Sequence, residues 1–263
     1  MKKNKVVAVV SGGPDSIGYA AYWKHKGYEI HPLIFHYGHK GSKEVQVAQD
    51  LCKKLGFRDP IFIDLSDLKQ LWRGTQLTDD QIKVEKEYAP TVVVPIRNAV
   101  FLTIAAAYAF TIQAKYVIYG AHLDDNTPNP KTLEPIYPDC SPEFQAALEA
   151  ALNIGHFRAA RGLQIWSPAR EGLRKSDNLK RTYKIIGDLI YETWSCYLSG
   201  QHHCGQCESC INRHKAFTEA GIPDGTIYKK YPSLGDWDTA VKYRGGYISA
   251  KYIEQRGKNR EKP

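Results

Sequence analysis

Two groups of residues have the types and spacing that chemistry needs. The first is Ser11-Gly12-Gly13-Pro14-Asp15-Ser16. Paired glycines let backbone N–H groups approach an anion closely. Ser11 and Ser16 add hydroxyl donors, and a helix opening at the end of the run adds its partial positive charge. That is the chemistry of holding phosphate. Asp15 would repel phosphate oxygens unless a cation such as Mg²⁺ lies between them, so it reads as a metal contact or as a helix N-cap. The run matches neither G-x-x-x-x-G-K-[ST] nor G-x-G-x-x-G, which disfavours a Walker-type nucleotidase and a dinucleotide site. On these residues alone an ordinary glycine-rich turn stays open. The second group is Cys196, Cys204, Cys207 and Cys210, spaced C-x7-C-x2-C-x2-C. Zn²⁺ takes four thiolates in a tetrahedron at about 2.3 Å, and four sulfurs leave no position for water. The spacing therefore predicts a structural ion, with a redox role for Cys207 and Cys210 as the alternative. His202 and His203 could replace one thiolate, but four suffice. Cys52 reads as filler on a buried helix.

These groups need a frame. Lys5 to Val10 is a short β-branched apolar run, read as a buried strand that stops at Ser11. The pattern then predicts a helix over Ile17 to His25, a strand over Glu29 to Tyr37, a helix over Lys43 to Leu55 and a strand over Ile61 to Leu65. Leu68 to Ala89 is charged and mixed, as a surface excursion would be. Arg97 to Gln113 is an Ala-rich apolar helix buried on most sides. Lys115 to Gly120 is a fourth strand, and Asp124 to Asp139 a proline-rich loop. Ser141 is placed to cap a helix over Pro142 to Leu152. A fifth strand at Gln164 to Ser167 and helices at Asn178 to Tyr191 and Asn212 to Ala220 complete the reading. Strands alternating with helices predict an α/β fold, a doubly wound parallel sheet with its ligand at the carboxyl ends of the strands. Candidate site residues therefore lie at 11–16, 36–43, 95–98, 120–139 and 167–175.

Composition bounds the rest. A chain of 263 residues with 43% hydrophobic residues builds a sizeable core, which excludes global disorder. No apolar run is read as approaching the roughly 20 residues of a membrane span. Val6 to Val10 is too short for a signal-peptide core, so the expected location is the cytoplasm. The net charge of +8 suits an anionic small molecule such as ATP, a nucleic acid, or solubility alone.

Ser11 to Ser16 resembles the S-G-G-x-D-S loop of the PP-loop ATP pyrophosphatases, and further segments resemble the 7-cyano-7-deazaguanine synthase (QueC) family within them. Tyr37-Gly38-His39 with Glu44 is similar to its Y-G-Q-x-H segment and following Glu. Val94-Pro95-Ile96-Arg97-Asn98, followed by Phe101-Leu102 and Ala105-Ala106-Ala107-Tyr108, is similar to V-P-G-R-N-x-x-F-L…A-A-A-Y-A. Tyr137-Pro138-Asp139-Cys140 with Pro142-Glu143-Phe144 resembles Y-P-D-C-R-P-E-F. Thr193-Trp194-Ser195-Cys196-Tyr197 opens the cysteine knuckle as T-W-S-C-Y does, and Gly221-Ile222-x-Asp224-x-Thr226-x-Tyr228 resembles the closing segment. The resemblance spans about residues 5 to 228. It implies a Rossmann-like PP-loop (HUP) sheet over 1–190, a small C-terminal zinc subdomain over 191–228 and a basic aromatic extension over 229–263. It also implies ATP, Mg²⁺ and structural Zn²⁺, a homodimer, and a ligase reaction. In that reaction 7-carboxy-7-deazaguanine is adenylated, ammonia gives the amide, and a second activation gives the nitrile.

Under that resemblance Ser11, Gly12, Gly13, Asp15 and Ser16 hold the ATP phosphates. Arg97 clamps a carboxylate or α-phosphate with its planar fork, and Lys175 offsets charge on the leaving group. Asp139 reads the amidine edge of the base, with Asp124 and Asp125 as alternatives. Gly120 is on the substrate side, and Tyr137 or Phe144 stacks on the ring. His36 and His39 are candidates for handling amine protons. Cys140 lacks a basic partner and is not read as a nucleophile. Three departures matter: Ile96 replaces the motif's glycine, an insertion surrounds Thr127-Pro128-Asn129-Pro130-Lys131, and a tail with Tyr228, Tyr231, Trp237, Tyr243 and Tyr247 follows. The tail is expected to pack on the domain and end in disorder from Gln255 to Pro263. An altered acceptor loop keeps open a paralogue of anti-phage operons that joins the activated base to a protein amine. A tRNA-modifying PP-loop enzyme and a non-catalytic nucleotide- or RNA-binding module are the remaining alternatives.

Overall fold

A computed structural model of the protein describes residues 4–39, 43–85, 90–129, 133, 135–157, 162–232, 235 and 238–260. Its frame is a five-stranded, fully parallel sheet of order β3-β2-β1-β4-β5, formed by Ile61–Asp64, Glu29–His36, Lys5–Val9, Tyr116–Ile118 and Gln164–Trp166. Along β1 the side chains alternate between faces. Val7 joins the core under α3 (Arg97–Ile112), while Val6 and Ala8 join the core under α1 (Pro14–His25) and α2 (Lys43–Lys54). A strand buried on both faces must be apolar at every position, which is why Val6 to Val10 reads as a continuous run. The connection after β2 returns on one side of β1 and β4 lies on the other, so the switch point falls between β1 and β4.

The helix predicted from Asn178 begins three residues earlier. α5 runs Lys175–Ile186 and packs along α1, where Gly18 leaves room for Thr182: a Cβ at 18 would lie 2.1 Å from the Thr182 hydroxyl. Ser141 caps α4 (Pro142–Gly155), its Oγ accepting from Phe144 N at 3.1 Å. The surface excursion expected after Leu68 is in part interior. Trp72, Gln76 and Leu77 are buried, and Trp72 Nε1 donates to the Pro95 carbonyl at 3.0 Å.

The segment Pro90–Ile112 corrects the membrane arithmetic. Its 23 residues contain an 18-residue stretch of mean hydropathy 1.7, long and apolar enough to span by length and composition alone, contrary to the sequence reading. In the fold, α3 covers one face of the sheet through Phe101, Leu102, Ala105, Ala106 and Ala109, all buried in the core. The tail also departs from expectation at its end. Ala240–Tyr243 (β6) and Gly246–Ser249 (β7) form an antiparallel hairpin followed by a helix over Ala250–Arg260, where disorder was expected from Gln255. Tyr228 and Tyr247 exchange backbone hydrogen bonds at 2.9 and 2.8 Å, and Tyr252 packs edge-on to Tyr191, so the tail is docked on the body of the protein. Trp237 lies outside the described residues.

Candidate active site

At Gly12 the chain turns with φ of +80°, and a Cβ there would lie 2.5 Å from the Glu44 carbonyl. Both facts require glycine. Pro14 then opens α1 with its preset φ. Ser11 N donates to Ser16 Oγ at 3.1 Å and the two hydroxyls lie 3.2 Å apart, which shapes the loop around its own centre. The first turn of a helix carries N–H groups without intrahelical acceptors, and this one lines a cavity of about 560 Å³ at the switch point. Gly120, just after β4, lets that strand end press on the loop, since a Cβ there would meet Ser16 N at 2.6 Å.

On the far side of the loop, Lys175 Nζ donates to Asp15 Oδ2 and to His122 Nε2, the latter at 3.3 Å. Burial by itself would raise the Asp15 carboxyl, but Lys175 and then His122 hold it below its ordinary 3.8. The same ion pair outweighs burial at Lys175 and keeps its ammonium charged. Asp15 Oδ1 is buried without a hydrogen-bond partner. That unpartnered carboxylate oxygen fits a hard cation such as Mg²⁺. His122 has no counterpart among the residues singled out from sequence. It is 6% exposed and its Nδ1 lies 3.6 Å from Asp124 and 3.5 Å from Asp125. Its position two residues after Gly120 at the switch point was the available signal. Asp124 accepts from Lys175 N at 2.7 Å, so it caps α5 and ties that helix to the end of β4.

A second wall is made by Arg97 at the start of α3. Arg97 Nη1 donates to Tyr37 Oη at 2.9 Å, and Asp139 lies within its field. Burial pushes the Asp139 carboxyl above its ordinary value, with Arg97 and a hydrogen-bonded Asn98 opposing. Tyr137 also lines the cavity, whereas Phe144 is packed into the core under α3 and does not. His39 stacks on Tyr37 with ring centroids 4.2 Å apart and reaches the cavity, while His36 stacks on Phe62 outside it. Burial, then Asp125 and Asp139, push the Cys140 thiol well up, which disfavours a thiolate. Burial also pushes the Glu44 carboxyl up to about 8, partly opposed by Arg97.

The four knuckle cysteines converge, with all four sulfurs within 4.8 Å of one another. A tetrahedron of thiolates at about 2.3 Å from an ion has edges of about 3.8 Å. Cys204 Sγ and Cys210 Sγ are 3.8 Å apart, so the site fits Zn²⁺. Backbone N–H groups of Leu198, Cys204, Gln206 and Cys207 donate to the sulfurs at 3.3–3.4 Å, as bound thiolates require. Neither histidine joins them. His203 Nε2 accepts from Ser195 N at 3.2 Å and His202 Nε2 faces the Arg244 carbonyl. The knuckle leans on the phosphate loop, because Trp194 N donates to the Gly12 carbonyl at 2.9 Å. Arg213, wholly buried, holds that segment through Thr193 Oγ1 at 2.8 Å and Ser195 Oγ at 3.1 Å.

A parallel sheet with a glycine-rich phosphate cradle at its switch point places the protein among the PP-loop nucleotide-binding α/β proteins. The model of the queuosine biosynthesis protein QueC matches residues 5–221, and the chain belongs to that family. It is 36% identical over 242 residues to the 7-cyano-7-deazaguanine synthase of Thermoplasma acidophilum, covering 89% of this chain and 96% of that one. It is 37% identical over 229 residues to the synthase of Caldicellulosiruptor bescii, covering 86% and 97%. A synthase of Archaeoglobus fulgidus is 34% identical over 270 residues and covers 98% of this chain and 99% of its own. That last alignment extends over the tail as well. Among solved structures, the NMN synthetase of Francisella tularensis aligns with a TM-score of 0.44 and 15% identity, over 84% of this chain and 78% of that one.

Proposed function

We propose that the protein is an ATP-dependent carbon–nitrogen ligase that converts 7-carboxy-7-deazaguanine to 7-cyano-7-deazaguanine with ammonia. The observation that carries the reading is the convergence, in one cavity, of the phosphate loop, the Lys175–Asp15 pair and the Arg97–Asp139 wall. A carboxylate is a poor electrophile because its charge is delocalised and oxide is a poor leaving group. Adenylation replaces that leaving group with AMP. In this reading Ser11, Ser16 and the first-turn N–H groups of α1 cradle the pyrophosphate, and Lys175 offsets its growing charge. Mg²⁺ neutralises the polyphosphate when bound, with Asp15 Oδ1 as its contact on the protein. Arg97 holds the carboxylate against the α-phosphate as a near-attack pair. Asp139 accepts the two donors of the base's amidine edge, and Tyr137 flanks the ring. Asp124 is assigned to the α5 cap rather than to the base, since Lys175 N already occupies it. Zn²⁺ holds the 191–228 subdomain against the loop through Trp194 and takes no part in the reaction. The chain acts as a homodimer in this reading, as the family resemblance implies.

Mass spectrometry of zinc-loaded protein with ATP, Mg²⁺, 7-carboxy-7-deazaguanine and ammonium tests the reading. AMP together with the nitrile is expected. AMP without amide or nitrile would overturn ammonia as the acceptor, and no AMP at all would overturn the reaction.

A further inference from the structure

Among the described residues the cavity contains one carboxyl that neither the reaction above nor a side-chain or backbone partner engages. Glu44 sits in the first turn of α2 and faces the cavity beside Arg97 and Tyr37. The other carboxyls lining the cavity are engaged. Asp15 pairs with Lys175, Asp124 caps α5, and Asp125 accepts from His122 N at 3.1 Å. Asp139 is assigned to the base edge in the reaction above, Glu208 accepts from Tyr197 and Asn212, and Glu219 pairs with Lys215 at 3.6 Å. Among the described residues the Glu44 carboxyl has no hydrogen bond and no ion pair. The neighbouring Lys43 does not neutralise it, because its Nζ is turned to the carbonyls of Gly200 and Gln201 at 2.6 and 3.2 Å. The position is also held fast: the Glu44 carbonyl packs so closely on Gly12 that a Cβ there would lie 2.5 Å away. The backbone that carries the carboxyl is thus fixed relative to the phosphate loop.

An unpartnered carboxyl on a wall otherwise built for anions suits a small cation, whose charge favours the ionised form that burial alone opposes. Of the cations in the proposed reaction, Mg²⁺ is assigned to Asp15 and the polyphosphate, which leaves ammonium. We propose that Glu44 is the subsite for the nitrogen nucleophile, binding ammonium beside the carboxyl held by Arg97 and taking one of its protons. This rests on the reaction proposed above. Glu44 carboxylate accepts a proton from ammonium. The freed nitrogen lone pair forms the C–N bond while the C–O bond to AMP breaks, its electron pair leaving on the phosphate oxygen. A second N–H proton passes to that phosphate, and Glu44 returns its own to solvent. An ordinary carboxylate is far too weak a base for the first step. Burial raises Glu44 to about 8, which narrows the gap to the basicity of ammonia.

The test is steady-state kinetics of the zinc-loaded full chain and its Glu44→Gln and Glu44→Asp variants, with ammonium, ATP and the carboxylate substrate varied in turn. In E44Q the KM for ammonium is expected to rise about 10- to 100-fold, the loss of one charge-assisted hydrogen bond, with a smaller rise in E44D. The KM for ATP should move by no more than about twofold, because a uniform loss would mean disturbed nucleotide binding. E44Q is also expected to lose amide formation more than ammonium-independent pyrophosphate exchange. An unchanged ammonium KM, or a parallel rise in the ATP KM, overturns the subsite while wild-type turnover still supports the reaction. Wild-type protein that forms no AMP overturns both.

Discussion

Replacing Ile96 with glycine is expected to stabilise the protein. Ile96 adopts φ 59° and ψ 9°, the left-handed region, at the residue that leads into α3. There its Cβ crowds the carbonyl, and for a β-branched residue the cost is about 2 kcal/mol, the upper end of the usual range. The side chain has little to offset this, because it is 71% exposed. Removing its remaining contacts costs about 0.5 kcal/mol of apolar burial. Glycine's greater freedom in the unfolded chain costs about another 0.5 kcal/mol. The balance is roughly 1 kcal/mol in favour of I96G, or about 2–4 °C in Tm for a chain of this size. The turn itself should persist, since Trp72 pins Pro95 O at 3.0 Å and Val100 N donates to Ile96 O at 3.1 Å. Urea unfolding of wild type, I96G and I96A measures the effect, with equal slopes showing that compactness is unchanged. Alanine relieves less strain yet loses the same contacts, so I96A should fall below I96G. An I96G midpoint at or below that of wild type would refute the argument, because it would mean that the isoleucine side chain does more than endure its backbone.

Other outcomes follow from the same geometry. Lys175→Met strands the Asp15 carboxylate, and is expected to cost about 2–3 kcal/mol after discounting for partial exposure and to slow turnover about 10²- to 10³-fold. Asp15 lies below its ordinary 3.8 in the folded protein, so the pair's stabilisation is fully present above that pH and lost as pH falls through the lowered value. The stability gap between wild type and K175M should therefore close on acidification, and a pH-independent gap would refute the assignment. Gly205→Ala places a Cβ 1.6 Å from the Lys230 carbonyl at a φ of +72°, so metal analysis is expected to find less than one zinc per chain. Full occupancy would show that the knuckle tolerates another path. Removing zinc should lower Tm and weaken ATP binding about tenfold, because the knuckle holds Trp194 N against Gly12 O. Unchanged ATP affinity in protein shown to be metal-free would break that link.

How much of this was legible in the sequence depended on how far along the chain each contact reaches. Ser11 to Ser16, the Ser141 cap and the cysteine knuckle act within a few residues of themselves. Turn chemistry, strand alternation and ligand spacing therefore specify them locally. The apolar runs likewise determined the five strands and their alternation with helices, and with them the end of the sheet where a site forms. The same local pattern could not separate the core helix α3 from a membrane span, because hydropathy does not say what covers a surface. The early start of α5 has one local mark, Arg174 N donating to Asp177 Oδ2 at 3.1 Å, and one that sequence does not announce, Asp124, 51 residues upstream of Lys175. The fold of the tail depends on pairing between Tyr228 and Tyr247, which no local period announces. Nor could sequence choose among the carboxyls. Lys175 reaches Asp15 across 160 residues, His122 becomes a neighbour of both, and Glu44 faces the cavity unpartnered among the described residues. Residue types and short spacings thus determined a glycine-rich strand-to-helix loop suited to phosphate and a knuckle of four cysteines. Which charges are paired, and which one stays available, was decided by the winding of the sheet, because burial and pairing are properties of residues far apart in the chain that only the tertiary structure brings together.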